Sequence, residues 1–129
     1  MDMHINKGVT VFFIACGEGH LAIARWLAEE GRADVSLCMQ NGTTPFMIAC
    51  WNGHQSVVEW LLQSGHGGDV DARNQDGSTA LMMASQIGHT DVVRSLIRMG
   101  HADANLQTPN GLTALMSACR KGHTAAARV

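Results

Sequence analysis

The residues best placed to do chemistry are Cys50 and His54, four apart in the segment TTPFMIACWNGH at 43–54. On a helix, side chains four apart share a face, so a thiol would stand beside an imidazole. That arrangement can serve as a nucleophile with its base, or as half of a metal site. The same spacing recurs as Cys16–His20 and Cys119–His123, and as Ser85–His89 with a hydroxyl. A catalytic dyad needs one site, so three or four copies point to a structural frame. Read this way, the cysteine is a small buried hydrophobe. Ser85 shows that the position requires small size, not a thiol. The histidine follows a glycine in a turn, where it can hydrogen-bond local backbone.

Metal binding meets a geometric obstacle. Equivalent residues in stacked helical units lie about 10 Å apart, whereas zinc ligands sit at about 2.0–2.3 Å. Each unit offers two ligands and nothing supplies the others. No catalytic residue, metal ligand or cofactor is therefore expected. The same separation excludes a Cys16–Cys50 disulfide, which needs Cα atoms within about 7 Å. Four cysteines, at 16, 38, 50 and 119, are too few for a disulfide-stapled secreted scaffold. Reduced thiols in a cytoplasmic or nuclear protein are the simpler reading. Cys38, in a loop, is expected to be the thiol most open to alkylation.

What would hold these residues is a repeat. Gly-His occurs at 19–20, 53–54, 88–89 and 122–123, at spacings of 34, 35 and 34. Gly8, Gly42, Gly77 and Gly111 keep the same register, as do Thr10, Thr44, Thr79 and Thr113, and Ala15, Ala49, Ala84 and Ala118. Each unit opens on a turn such as NGTTP, DGST or NGLT, in which Asn or Asp before Gly tolerates positive φ. The threonine stands at a helix N-cap, and Pro45 at the first helical position, where a missing N–H costs nothing. A short first helix runs from Thr44 to about Asn52 and ends at Gly53. Second helices cover 55–64 and 90–99, with Val57, Val58, Leu61 and Leu62 on one apolar face. Gly31, Gly65 and Gly100 are expected to cap them. The units fall at about 5–38, 39–73, 74–107 and 108–129, the last incomplete. A helix pair of this size cannot bury its apolar face alone, so neighbours must stack.

The bulk properties agree. Of 129 residues, 46% are hydrophobic and only 5% aromatic, with no tyrosine, which favours a helical core over a β-sandwich. The net charge of −2 and scattered Lys and Arg leave no basic stripe for nucleic acid. No segment approaches the ~18 apolar residues of a membrane span. The run from Val9 to Cys16 imitates a short signal-peptide core. Its Thr10, Ala15 and Cys16 stand in repeat register, which a cleavable segment has no reason to do.

The segments NQDGSTALMMASQIGHTDVVRSLIRMGHADAN (74–105) and NGTTPFMIACWNGHQSVVEWLLQSG (41–65) resemble the ankyrin repeat nearly residue by residue, and the resemblance covers 5–129. It implies an all-α ankyrin-type solenoid of helix-turn-helix units joined by β-turn or hairpin loops. There are departures. The family's Thr-Pro-Leu-His histidine is replaced by Phe13, Met47, Met82 and Met116, which should leave the cap weaker or purely hydrophobic. The family's usual period is about 33 residues, against 34 or 35 here, which places extra residues near Arg32, His66-Gly67-Gly68 and His101, where the bends should bulge. The fourth unit stops at TAAARV, so the chain reads as a fragment of a longer array.

The resemblance also implies a binding surface of turn tips and inner helices. The positions there that vary while the frame repeats are Thr43, Trp51, Asn52, Asp76, Ser78, Gln86, Ile87, Leu112, Arg120 and Lys121. Trp51 is the foremost candidate, because tryptophan is enriched at interface hot spots. Trp26 and Trp60 should pack between units, and Met47, Met82, Met83 and Met116 in the core. The function expected is a non-catalytic protein–protein interaction module, monomeric or part of a longer array, whose partner is another protein or peptide segment. Alternatives are the targeting segment of a larger enzyme or channel, and, remotely, a thiol or metal protein. Residues 124–129 are expected to fray, with fast hydrogen exchange; full protection of those amides would overturn this.

Overall fold

In the computed structural model, residues 11–30, 41–120, 122 and 127–128 are described. Among them the threonine of each complete turn begins a helix. Thr44 and Thr79 adopt extended backbone, and their Oγ1 atoms accept from Met47 N (3.1 Å) and Met82 N (3.3 Å). Thr113 Oγ1 accepts likewise from Met116 N at 3.3 Å. The expected loss of a polar cap is therefore corrected. The hydroxyl needs only the backbone N–H three residues on, whatever side chain stands there. Met82 even closes the cap from the other side, its Sδ accepting from Thr79 N at 3.5 Å.

The helices that follow are α1 (Val11–Glu18), α2 (Leu21–Glu29), α3 (Pro45–Trp51), α4 (Gln55–Ser64), α5 (Ala80–Ile87), α6 (Thr90–Arg98) and α7 (Ala114–Arg120). No described residue lies in a strand. α1, α3, α5 and α7 stack in sequence as an inner layer, while α2, α4 and α6 pack behind α1, α3 and α5. Small residues permit the stack: Ala49, Cys50, Ala84 and Ala118 are wholly buried, and Ala15 and Ser85 nearly so. Val57, Val58, Leu61, Val92, Val93 and Leu96 fill the space between the layers.

Two of the Gly-His turns, at 53–54 and 88–89, each lock a unit onto the one before. His54 Nε2 lies 2.9 Å from the Gly17 carbonyl, and His89 Nε2 lies 2.9 Å from the Trp51 carbonyl. A carbonyl only accepts, so Nε2 carries the proton in both rings. These bonds reach across to the preceding unit, which corrects the expectation of local backbone partners. The glycine is needed for the same reason. A Cβ on Gly19 would stand 2.6 Å from the His54 ring, and one on Gly53 would stand 2.7 Å from the His89 ring.

Other placements differ from expectation. Trp60 is buried and meets Phe12 of the preceding unit edge-on at 6.3 Å. Trp26 is half exposed, not packed between units as expected. Met47, Met82 and Met83 are buried, but Met116, on the outward side of α7, is 46% exposed. Gly65 ends α4 in the left-handed region as expected, whereas α6 is capped by Met99, and His101 takes the positive φ that Gly100 does not. Gly100 is instead required by close approach, with the Leu96 carbonyl oxygen 2.9 Å from where its Cβ would be. The bend at His66–Gly68 folds inward rather than bulging, and the His66 ring lies 5.6 Å from that of Trp60. Gly31, Arg32, and residues 124–126 and 129 of the segment expected to fray lie outside the described residues.

Gly53 and Gly65 have nearly the same φ, 75° and 80°, but Gly65 has nothing within 4 Å of an added Cβ. Both Gly→Ala changes should carry the backbone strain of about 1 kcal/mol. Gly53→Ala should cost at least about 1 kcal/mol more, because it pushes the His89 ring off its carbonyl. Urea unfolding of the two variants measures the difference; equal costs would mean that the interlock contributes nothing.

Candidate functional site

The Cys-His pairs come apart as chemistry. Cys16 and Cys50 have no exposed surface. Burial pushes the Cys16 thiol up to about 12 and the Cys50 thiol higher still, because a thiolate is costly away from water. The base that Cys50 would need is engaged elsewhere, as His54 is tied to Gly17 O. Cys119 is the exposed cysteine among the described residues, with no described inner helix over it; Cys38 lies outside them. No three His, Cys, Asp or Glu side chains come together among the described residues.

The variable positions lie differently. Asp76, Ser78, Gln86, Leu112 and Arg120 line two open hollows between the third and fourth units. The larger, of ≈ 310 Å³, runs among Asp76, Ser78, Met82, Gln86, Thr108, Pro109, Asn110, Leu112 and Ser117. The smaller, of ≈ 140 Å³, is bounded by Gln86, Leu112, Ser117 and Arg120. Sharing Gln86, Leu112 and Ser117, they form one trough from the turn tips to the end of α7.

The turns make its upper rim rigid. Asn74 Oδ1 accepts from Asp76 N (2.9 Å) and Ser78 N (3.1 Å), and Asn74 N donates to Ser78 O. In the next turn Thr108 N donates to Leu112 O, Leu112 N donates to Thr108 Oγ1, and the Thr108 hydroxyl is paired with Asn110 Oδ1. Arg73 joins the two turns, donating to Gly77 O at 2.8 Å and to Gln107 O at 2.5 Å. Met82, Thr108, Pro109 and Ser117 also line the trough but were not among the positions chosen from sequence. Met82 belongs to the repeating frame, in register with Met47 and Met116, so variation between units could not mark it.

The remaining candidates stand apart. Trp51 and Ile87 are each 38% exposed at the ends of α3 and α5 and line no described hollow. Asn52 is exposed, but its Nδ2 donates to Gly17 O at 2.8 Å and so serves the frame. Thr43 is buried, its N–H donating to Asn41 Oδ1 at 3.0 Å. Side-chain availability at these two positions is thus less than their variation suggested. Lys121 lies outside the described residues.

The burial pattern predicts alkylation order. Iodoacetamide should modify Cys119 in the folded chain, while Cys16 and Cys50 should react at least ~100-fold more slowly until unfolding. Raising the pH from 7 to 9 should not release Cys16, whose thiol stays protonated well above that range. Peptide mass spectrometry reads the order; early Cys50 labelling would contradict the buried assignment.

Comparison with known proteins fits this architecture. No curated protein matches the chain, and no described helix is long and apolar enough to cross a membrane. A family model for ankyrin repeats, in three copies, matches residues 1–74 and 66–129. Members of that family are generally protein–protein interaction modules and typically non-catalytic. Stacked helix pairs, threonine-capped inner helices and Gly-His turns locked unit to unit run through the same residues that the family model covers, and the chain belongs to the ankyrin repeat family.

Proposed function

We propose that this chain is a non-catalytic module that binds a segment of another protein on its concave face, the side formed by the turn tips and inner helices. The observation that carries this reading is the trough between the third and fourth units. Five of the positions that vary along the repeat, Asp76, Ser78, Gln86, Leu112 and Arg120, converge on it, while the repeating positions beside them are buried in the frame. Trp51 and Ile87 extend the same surface toward the second unit with partly exposed apolar area, which is the kind of surface that supplies binding energy. The unit boundaries at about 5–38, 39–73, 74–107 and 108–129 are part of the proposal. So is a reducing intracellular setting, which suits the buried thiols of Cys16 and Cys50.

Capture of partners by the immobilised chain, repeated with variants, tests the reading. Gln86→Ala and Ile87→Ala together should weaken capture at least about tenfold while shifting Tm by no more than about 3 °C. Trp51→Ala should weaken capture too, with a larger fall in Tm because much of the ring is buried. A partner that binds all these variants as well as the parent would remove the concave-face assignment.

A further inference from the structure

The charges at the two ends of the trough point to one kind of occupant. We infer that it takes an extended peptide segment of a partner protein, carrying a cation and a carboxylate roughly four to six residues apart. The inference rests on the concave-face reading above. Asp76 stands at the turn-tip end of the trough and Arg120 at the opposite end, in the last turn of α7. Both are exposed, and among the described residues neither side chain is engaged. The ion pairs there are Arg25–Glu29 and Arg94–Asp91, on the outer helices. Asp76 donates its backbone N–H to Asn74 and leaves its carboxylate free. Arg73, the cation of the same turn, is committed to the carbonyls of Gly77 and Gln107.

Between the two charges the lining is mixed. Met82 and Leu112 offer apolar surface, and Gln86 and Ser117 offer polar groups suited to peptide amides. The trough follows α5, which has 8 residues and so spans about 12 Å at 1.5 Å per residue. An extended peptide rises about 3.3 Å per residue, so roughly four residues cover the helix and the turn adds one or two. A nucleic-acid strand would bring phosphates against Asp76. Complementary charges at two ends fix the direction and register of a strand more than they add affinity. The cation of the segment lies at Asp76 and its carboxylate at Arg120.

The test selects phage-displayed random decapeptides on the chain and on the charge-exchanged variant Asp76→Lys/Arg120→Glu. Asp76→Asn/Arg120→Gln serves as the milder pair, and circular dichroism confirms that each variant is folded. Peptides selected on the parent should carry a Lys or Arg and an Asp or Glu four to six residues apart. They should lose at least tenfold in affinity on the charge-exchanged variant, which should itself select the reversed order. NMR mapping should place the selected peptides on Gln86, Leu112 and Ser117. Recovery of no peptide, or of peptides without paired charges, would overturn the inference. Uncharged peptides that still map to the trough would leave the concave-face reading standing, whereas peptides mapping to α2, α4 and α6 would overturn both.

Discussion

Each helix pair of this chain has more apolar face than it can cover, and the next pair supplies the cover. Every other feature depends on that stacking. The inner helices approach closely because the facing positions are Ala, Cys or Ser. Close approach brings the Gly-His turn of one unit under the backbone of another. The imidazole then finds a carbonyl that the end of an inner helix would otherwise leave open to water. The glycine before the histidine must lack a side chain because the next unit's ring occupies that space. One packing distance therefore accounts for three residue choices at the contacts between the first three units.

Polar groups are treated by the same logic. Glu59 Oε2 accepts from Gln55 in its own helix and from Ser95 of the following unit. Asp71 Oδ1 accepts from the Asp103 backbone, and Asn41 O from Gln75 N. Among the described residues no buried side-chain nitrogen or oxygen lacks a partner. The frame thus consumes His54 and His89, the capping threonines and part of the asparagines. What it leaves over, chiefly Asp76, Gln86 and Arg120, is available for recognition. In a solenoid the residues free to bind are those the neighbouring unit does not require.

Much of this was legible from residue register. The limits of α3 and α4, the Thr44 and Thr79 caps, the Gly65 cap and the buried cysteines follow from local rules, since capping, turn chemistry and helical periodicity involve residues only a few positions apart. Three of the errors share one cause. The His54 and His89 acceptors and the Asn52 contact depend on what lies in the preceding unit. The methionine cap is of another kind. It was misjudged because side-chain identity was weighed where only the backbone N–H mattered.

The candidate site divides in the same way. By itself the sequence determined that the chain is a stack of helix pairs, and which positions vary while the frame repeats, because periodicity is a property of the order of residues. It could not decide that Asp76, Ser78, Gln86, Leu112 and Arg120 meet along one trough while Trp51 and Ile87 stand beside it, or that Asn52 is drawn into the frame. Those outcomes depend on distances between residues about 34 positions apart, set by how one unit rotates and settles on the next. Only the tertiary structure fixes that settlement, because it is the sum of many side-chain contacts across the unit boundary and of no single residue's preference.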